Sequence, residues 1–203
     1  GLSLGLGVLR LPFKRLDSDG EGLTGRTYRL IVFGIAAILA AAFILLRTDV
    51  HFLGDGYSLL SLLASDNPLI KLRNFGGTYP QLKLAHFLGE PTETDVLLSY
   101  RIISITMGVV FVGLTAVFAN RLFDSRLRRI LFMPGIVSGG YMLHFFGYVE
   151  NYALLYTAVA SFGLIGIATC KGLCSRWWLL VPLAIACISH IFGLVLFPAL
   201  VFA

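Results

Sequence analysis

The sequence predicts an all-α integral membrane protein with about five transmembrane helices and a long loop carrying two amphipathic surface helices. Three observations lead there. Of 203 residues, 57% are hydrophobic and only 13% charged, where soluble domains carry about 25% charged residues. Apolar runs recur at the roughly 17–25 residues that a helix needs to cross a bilayer core. Most of the basic residues fall into the loops on one side of those runs. A chain this poor in charge cannot cover a water-facing surface, so lipid is its expected solvent.

Residues 1–29 form a basic segment with Arg10, Lys14, Arg15, Arg26 and Arg29 and without a signal-peptide pattern. The first span is Leu30–Leu46, "LIVFGIAAILAAAFILL". The second is residues 102–119, and the third, residues 130–146, is interrupted by Pro134 and the Gly139–Gly140 pair. The fourth is residues 152–169. The last, residues 177–203, reads either as one long helix or as two segments meeting near His190. Arg121, Arg126, Arg128 and Arg129 share a side with the basic segment, as do Lys171 and Arg176. By the positive-inside rule the N-terminus is cytoplasmic, which puts residues 48–99 and "GYVENY" outside. The net charge of +5 belongs to this asymmetry and does not call for nucleic acid as a partner. The chain begins with Gly and stops inside the apolar "LVLFPALVFA", so it is expected to be the N-terminal part of a longer protein.

The loop at 48–99 is too long and too apolar for a linker. In "GYSLLSLLASD", Leu59, Leu60 and Leu63 share one helical face, and Ser58, Ser61 and Ser65 another. In "TYPQLKLAHFLGE", Pro80 suits a first helical turn, and Leu84, Phe87 and Leu88 would face away from Lys83 and His86. Both segments read as helices lying on a membrane surface. "QLKLAHF" also alternates, which leaves a strand reading open.

Polar groups within this apolar background are the candidate site. "FLGDGY" holds Asp55 between two glycines, which permit a sharp turn or a close approach. Asp55 is then a solvated loop acid, a general base at the membrane boundary, or a ligand of a divalent cation. "GYVENY" places Tyr148, Glu150 and Asn151 in a short turn that reads as an interfacial aromatic belt or as a rigid substrate platform. His190 lies mid-segment, where an ionisable group is expensive and marks a functional candidate or a hydrogen-bonded core histidine. His144 precedes the same turn and could join that cavity. Among Arg47, Lys71, Arg73, Lys83 and Arg101, position favours Arg101 as a phosphate partner, the rest being solvated or snorkelling. "DSDGEG" at 17–22 opens like a calcium loop, but its twelfth position is Tyr28, so it reads as a solvated turn. Cys170, Cys174 and Cys187 form neither a disulfide framework nor a metal-ligand pattern.

The layout of basic tail, first span, long loop opening with "FLGDGY" and polar turn "GYVENY" resembles the N-terminal part of the GT-C fold. That group of membrane glycosyltransferases includes the protein O-mannosyltransferases and aminoarabinose transferases. "SHIFGLVLFP" is similar to a His-Gly-Leu-Pro stretch of some bacterial members. In that family the first outer loop carries two surface helices and an essential acid that acts as base or helps bind metal. The resemblance assigns this acid to Asp55, here single rather than one of an adjacent pair. It implies sugar transfer from a polyprenyl-phosphate donor to an extracytoplasmic acceptor, in a bacterial or archaeal plasma membrane. Glu150, Asn151 and His190 would line the pocket, with Tyr148, Arg101 and His144 as further substrate contacts. The implied partners are the bilayer and the lipid-linked donor, and a divalent cation is a possible cofactor.

Two other classes compete with this reading. A non-catalytic subunit would pack its small-residue faces, such as Gly108 and Gly113, against partner membrane subunits. A transporter would line a midplane site with its broken helices.

Overall fold

A computed structural model describes residues 25–51 and 54–202, whose regular structure is all helical, with no strand among the described residues. "DSDGEG" and most of the basic N-terminal segment lie outside the described residues. The helices are α1 (Gly25–Leu45), α2 (Gly56–Leu63), α3 (Phe75–Leu88) and α4 (Glu93–Leu122), then α5 (Arg126–Val137), α6 (Ala153–Cys170), α7 (Leu180–Ser189) and α8 (Phe197–Phe202). Short 3-10 turns stand at Leu72–Asn74, Gly140–Phe145, Arg176–Leu179 and Ile191–Leu196. Two of these helices, α4 and α6, are long and apolar enough to cross a membrane.

Helix α4 is the central post, packed against α1, α2, α3, α5 and α6. It starts at Glu93, well before the expected apolar limit at 102, because Thr92 and Asp95 form a reciprocal capping box. Glu93 and Asp95 in the first turn and Arg121 in the last complement the helix dipole. Gly108 lets aromatic rings lie on α4. A Cβ there would stand 2.7 Å from both Phe43 and Phe145, which join Phe111 and Met142 in one buried cluster.

Two expected spans are broken. The stretch 130–146 is not one helix: α5 ends at Val137, three residues after Pro134, and a 3-10 turn follows the Gly139–Gly140 pair. Twelve residues of α5 give about 18 Å of rise, short of a bilayer core. The stretch 177–203 is two segments meeting at His190, whose extended backbone (φ −159°, ψ 144°) ends α7. Gly193 then folds back so closely that a Cβ would lie 2.3 Å from the carbonyl carbon of Ala186.

The loop after α1 contains the two expected short helices. In α2, Leu59, Leu60 and Leu63 are buried against Leu82, Ala85, Val96 and Tyr100. Helix α3 differs from the expectation in where Pro80 falls. Pro80 lies inside the helix, and the buried residues are Gly76, Gly77, Thr78, Gln81, Leu82 and Ala85. Phe87 is 86% exposed and Leu88 is exposed too. The side of α3 that carries small residues is the side that can press against α4, α6 and α7, and this outweighs hydrophobicity alone.

Gly193→Ala should destabilise the protein by about 1–3 kcal/mol, because the clash is with backbone and cannot be relieved by a rotamer. Gly163→Ala in α6, with nothing within 4 Å of its Cβ, should be neutral or gain up to about 1 kcal/mol. Denaturant titration of the two variants in one lipid-mimetic medium checks the pair.

Candidate active site

The residues between the 3-10 turn at Gly140–Phe145 and α6 form a tight polar turn, Gly147–Asn151, tied down from three directions. The Ser104 hydroxyl on α4 accepts the Gly147 N–H at 3.0 Å and donates to the His144 carbonyl at 2.5 Å. Thr48, just beyond α1, donates its N–H to the Phe146 carbonyl at 2.9 Å. Imidazole Nδ1 of His51 accepts the Val149 N–H at 3.3 Å.

Against this turn sits Gly54–Asp55–Gly56. The Asp55 N–H donates to Glu150 Oε1 at 3.1 Å. Gly54 has φ +86°, and a Cβ on it would lie 1.8 Å from Glu150 Oε1. Gly56 faces the Val149 carbonyl, 3.1 Å from where its Cβ would be. Each glycine therefore answers a steric demand: side chains at 54 and 56 would occupy the space taken by the 149–150 turn. A second pair repeats the device on α3. A Cβ on Gly77 would lie 2.6 Å from the Asn151 carbonyl oxygen, and one on Gly76 would lie 2.7 Å from that of Ile188.

These approaches close a cavity of about 240 Å³ beside the N-terminal ends of α2 and α6 and the C-terminal end of α7. Asp55, Glu150, Asn151 and His190, read from three distant stretches of sequence, all line it. Arg73, Asn74, Tyr152 and Phe192 complete its polar and aromatic wall. Asp55 is exposed and Glu150 is only 9% exposed. Burial pushes the Glu150 carboxyl above its ordinary value of 4.5, and the Asp55 charge pushes it further. Hydrogen bonds from the backbone of Asp55 and Asn151 oppose that shift.

The same cavity is lined by groups arranged to donate. Asn151 Oδ1 accepts the Tyr100 hydroxyl at 2.9 Å and the Thr78 hydroxyl at 3.3 Å, so its amide nitrogen is the atom left to bind something else. His190 Nδ1 accepts the Phe192 N–H at 3.1 Å, which puts the imidazole hydrogen on Nε2. Arg73 adds a guanidinium from the turn before α3.

Three expected contacts lie elsewhere. Arg101 pairs with Asp49 at 2.5 Å and does not line the cavity, because Asp49 stands beside it where the chain leaves α1. Tyr148 is 2% exposed, its ring centroid 5.2 Å from that of His51 and 5.9 Å from that of His144. His144 sits behind the wall among Tyr148, Tyr152 and Tyr156. Among the described residues, no group of three or more His, Cys, Asp and Glu side chains is placed to hold a metal ion. Asp55 and Glu150 bring only two carboxylates to the cavity, fewer ligands than a divalent cation needs.

Sequence reasoning missed Arg73 as a cavity residue, and missed His51, Tyr100 and Thr78 entirely. Arg73 was one of five cations with nothing local to single it out. The other three act through tertiary contacts that no spacing in the chain announces.

The chain matches no family model, no curated protein and no solved structure.

The raised Glu150 carboxyl makes stability depend on pH. In the folded state its proton is held more tightly than in the unfolded chain, so the contribution is fully present below 4.5 and is lost as pH rises through the folded value. Glu150→Gln removes that dependence. The difference in unfolding free energy between the two proteins should therefore move in favour of Glu150→Gln as pH climbs from 4.5, and stay flat below it. Denaturant titrations across that range measure it.

Proposed function

We propose that this chain is the catalytic part of a membrane glycosyltransferase that moves a sugar from a polyprenyl-phosphate donor to a hydroxyl acceptor outside the cytoplasm. The observation that carries the reading is the convergence of Asp55, Glu150, Asn151 and His190 on one open polar cavity that Arg73 also lines. Two carboxylates and a set of donors lining one cavity match the charge changes of such a transfer.

A carboxylate takes the proton of the acceptor hydroxyl, the acceptor oxygen bonds to the anomeric carbon, and the bond from that carbon to the phosphate oxygen breaks. The electron pair leaves with the phosphate, whose new charge meets Arg73, the His190 Nε2 hydrogen and the Asn151 amide. Glu150 suits the base role better than Asp55, because burial raises its proton affinity toward neutral pH. Asp55, more exposed, is then the acid that first meets the acceptor, and it would be the residue to hold a divalent cation, whose charge would offset that of the phosphate.

The surroundings fit a lipid-borne donor. Helices α4 and α6 are long and apolar enough for two crossings, and in this reading the apolar α1, with Ile31, Ile35 and Ile38 exposed, would add a third. The broken 130–146 and 177–202 stretches pack beside them as partial or interrupted crossings. An apolar cavity of about 380 Å³ between α4, α6 and α7, lined by residues such as Met107, Phe118, Ala158 and Ile185, has room for part of an isoprenoid chain. Leu69, Leu72 and Phe87, all highly exposed, would sit in the outer headgroup layer, with the N-terminus on the cytoplasmic side. A non-catalytic subunit would have no need to bring two acids to one cavity.

The test is transfer of a labelled sugar from polyprenyl-phosphate donors to a hydroxyl acceptor in proteoliposomes. Glu150→Gln and Asp55→Asn should each lower the rate by about 10²–10⁴-fold, and Arg73→Ala should lower it while Lys83→Ala does not. Wild-type rates in both carboxylate variants would overturn the proposal.

A further inference from the structure

His51 lies where the chain leaves α1, only 2% exposed, and does not line the polar cavity. It nevertheless touches both turns that build that cavity. Its Nδ1 accepts the Val149 N–H, one residue before Glu150. Its own Cβ and carbonyl oxygen lie 2.8 and 2.9 Å from the point where a Cβ on Gly56 would stand, one residue after Asp55. Tyr148 and Tyr57 flank the ring, with centroids 5.2 and 6.1 Å away and both nearly edge-on.

Because Nδ1 accepts, the hydrogen of the neutral ring is on Nε2, and that atom is buried with no partner among the described residues. An unpaired buried donor costs about 1–3 kcal/mol, a penalty that an apolar ring of similar size would avoid. Packing therefore does not account for a histidine here, whereas its acceptor nitrogen does.

We propose that His51 is a positioning residue, the clasp that holds the Glu150 turn against the Gly54–Asp55–Gly56 turn through the acceptor nitrogen Nδ1. Without it the Val149 N–H loses its partner, the turn relaxes outward, and Glu150 moves from its buried place toward water. The clasp works only while the ring is neutral, since a protonated Nδ1 would point a hydrogen at the Val149 N–H. The ionisable groups around the ring are Asp49 and Arg101, which pair with each other, Tyr57 and Tyr148, with Glu150 next along the turn. Burial and the Arg101 guanidinium push His51 below its ordinary 6.5, against the pull of Asp49, which keeps the accepting form dominant at neutral pH. The inference uses the site proposed above but not the reaction assigned to it.

The experiment is an infrared titration of the Glu150 carboxyl in the full chain in lipid nanodiscs, with ¹³C-labelled glutamate and Glu150→Gln as the subtraction. Asn puts an oxygen close to where Nδ1 sits, Gln puts its oxygen at the Nε2 position, and Phe keeps the ring without nitrogen. His51→Asn should keep the wild-type midpoint. His51→Gln and His51→Phe should bring it down toward 4.5 as burial is lost. Wild-type midpoints in the Gln and Phe variants, or an Asn variant shifted as far as Gln, would overturn the proposal. If the Phe variant does not fold, the Asn–Gln pair decides alone. Since the readout is a titration and not a rate, its failure would be separate from any failure of sugar transfer.

Discussion

Glu150 is held beneath the Gly54–Asp55–Gly56 turn by one backbone hydrogen bond, from the Asp55 N–H, and by a gap that only glycine leaves at position 54. The rest of the structure is arranged around this contact. α4 fixes one side of it, through Ser104 on the preceding strand of chain and Tyr100 on Asn151. α3 and α7 fix the other, where Gly76 and Gly77 bring α3 within backbone distance of Ile188 and Ser189 and of Asn151. The short helices α2 and α3 are thus anchored by glycine contacts at their N-terminal ends, and their apolar faces follow.

The same packing sets the electrostatics. A carboxylate placed beside another acid and away from water resists ionisation, and the bonds from Asp55 and Asn151 are what keep it usable as an anion. In the same cavity, the acceptors of Asn151 and His190 are already occupied by groups of the protein itself. Their donor nitrogens are left without a partner of this kind, on residues that line the space. Such preorganised donors stabilise developing negative charge without reorganisation.

Much of this was legible in the chain. Helical class follows from hydropathy, and the four polar residues that converge were visible because each interrupts an apolar context. Boundaries were less legible where polar residues cap a helix: Thr92 and Asp95 extend α4 far beyond its apolar limit. The stretch at 130–146 carried its own warning in Pro134 and the glycine pair, but whether a break bends a span or ends it depends on what packs against it. In helix α3 the side that packs on the protein was not legible, because Gly76, Gly77 and Ala85 mark it while the apolar Phe87 stays exposed. Arg101 was favoured over Arg73 by position along the chain; the pairing of Arg101 with Asp49 exists only in the fold.

The central claim is that Asp55 and Glu150 form one site, and a double-mutant cycle on folding stability at neutral pH tests it most directly. If the two acids share the cavity, Glu150→Gln relieves repulsion in the presence of Asp55 and gains less when Asp55 is already Asn. The coupling should then exceed the roughly 0.3–0.5 kcal/mol within which independent sites add. Additive effects within that limit would mean that the two carboxylates do not sense each other, and the site as described would be wrong.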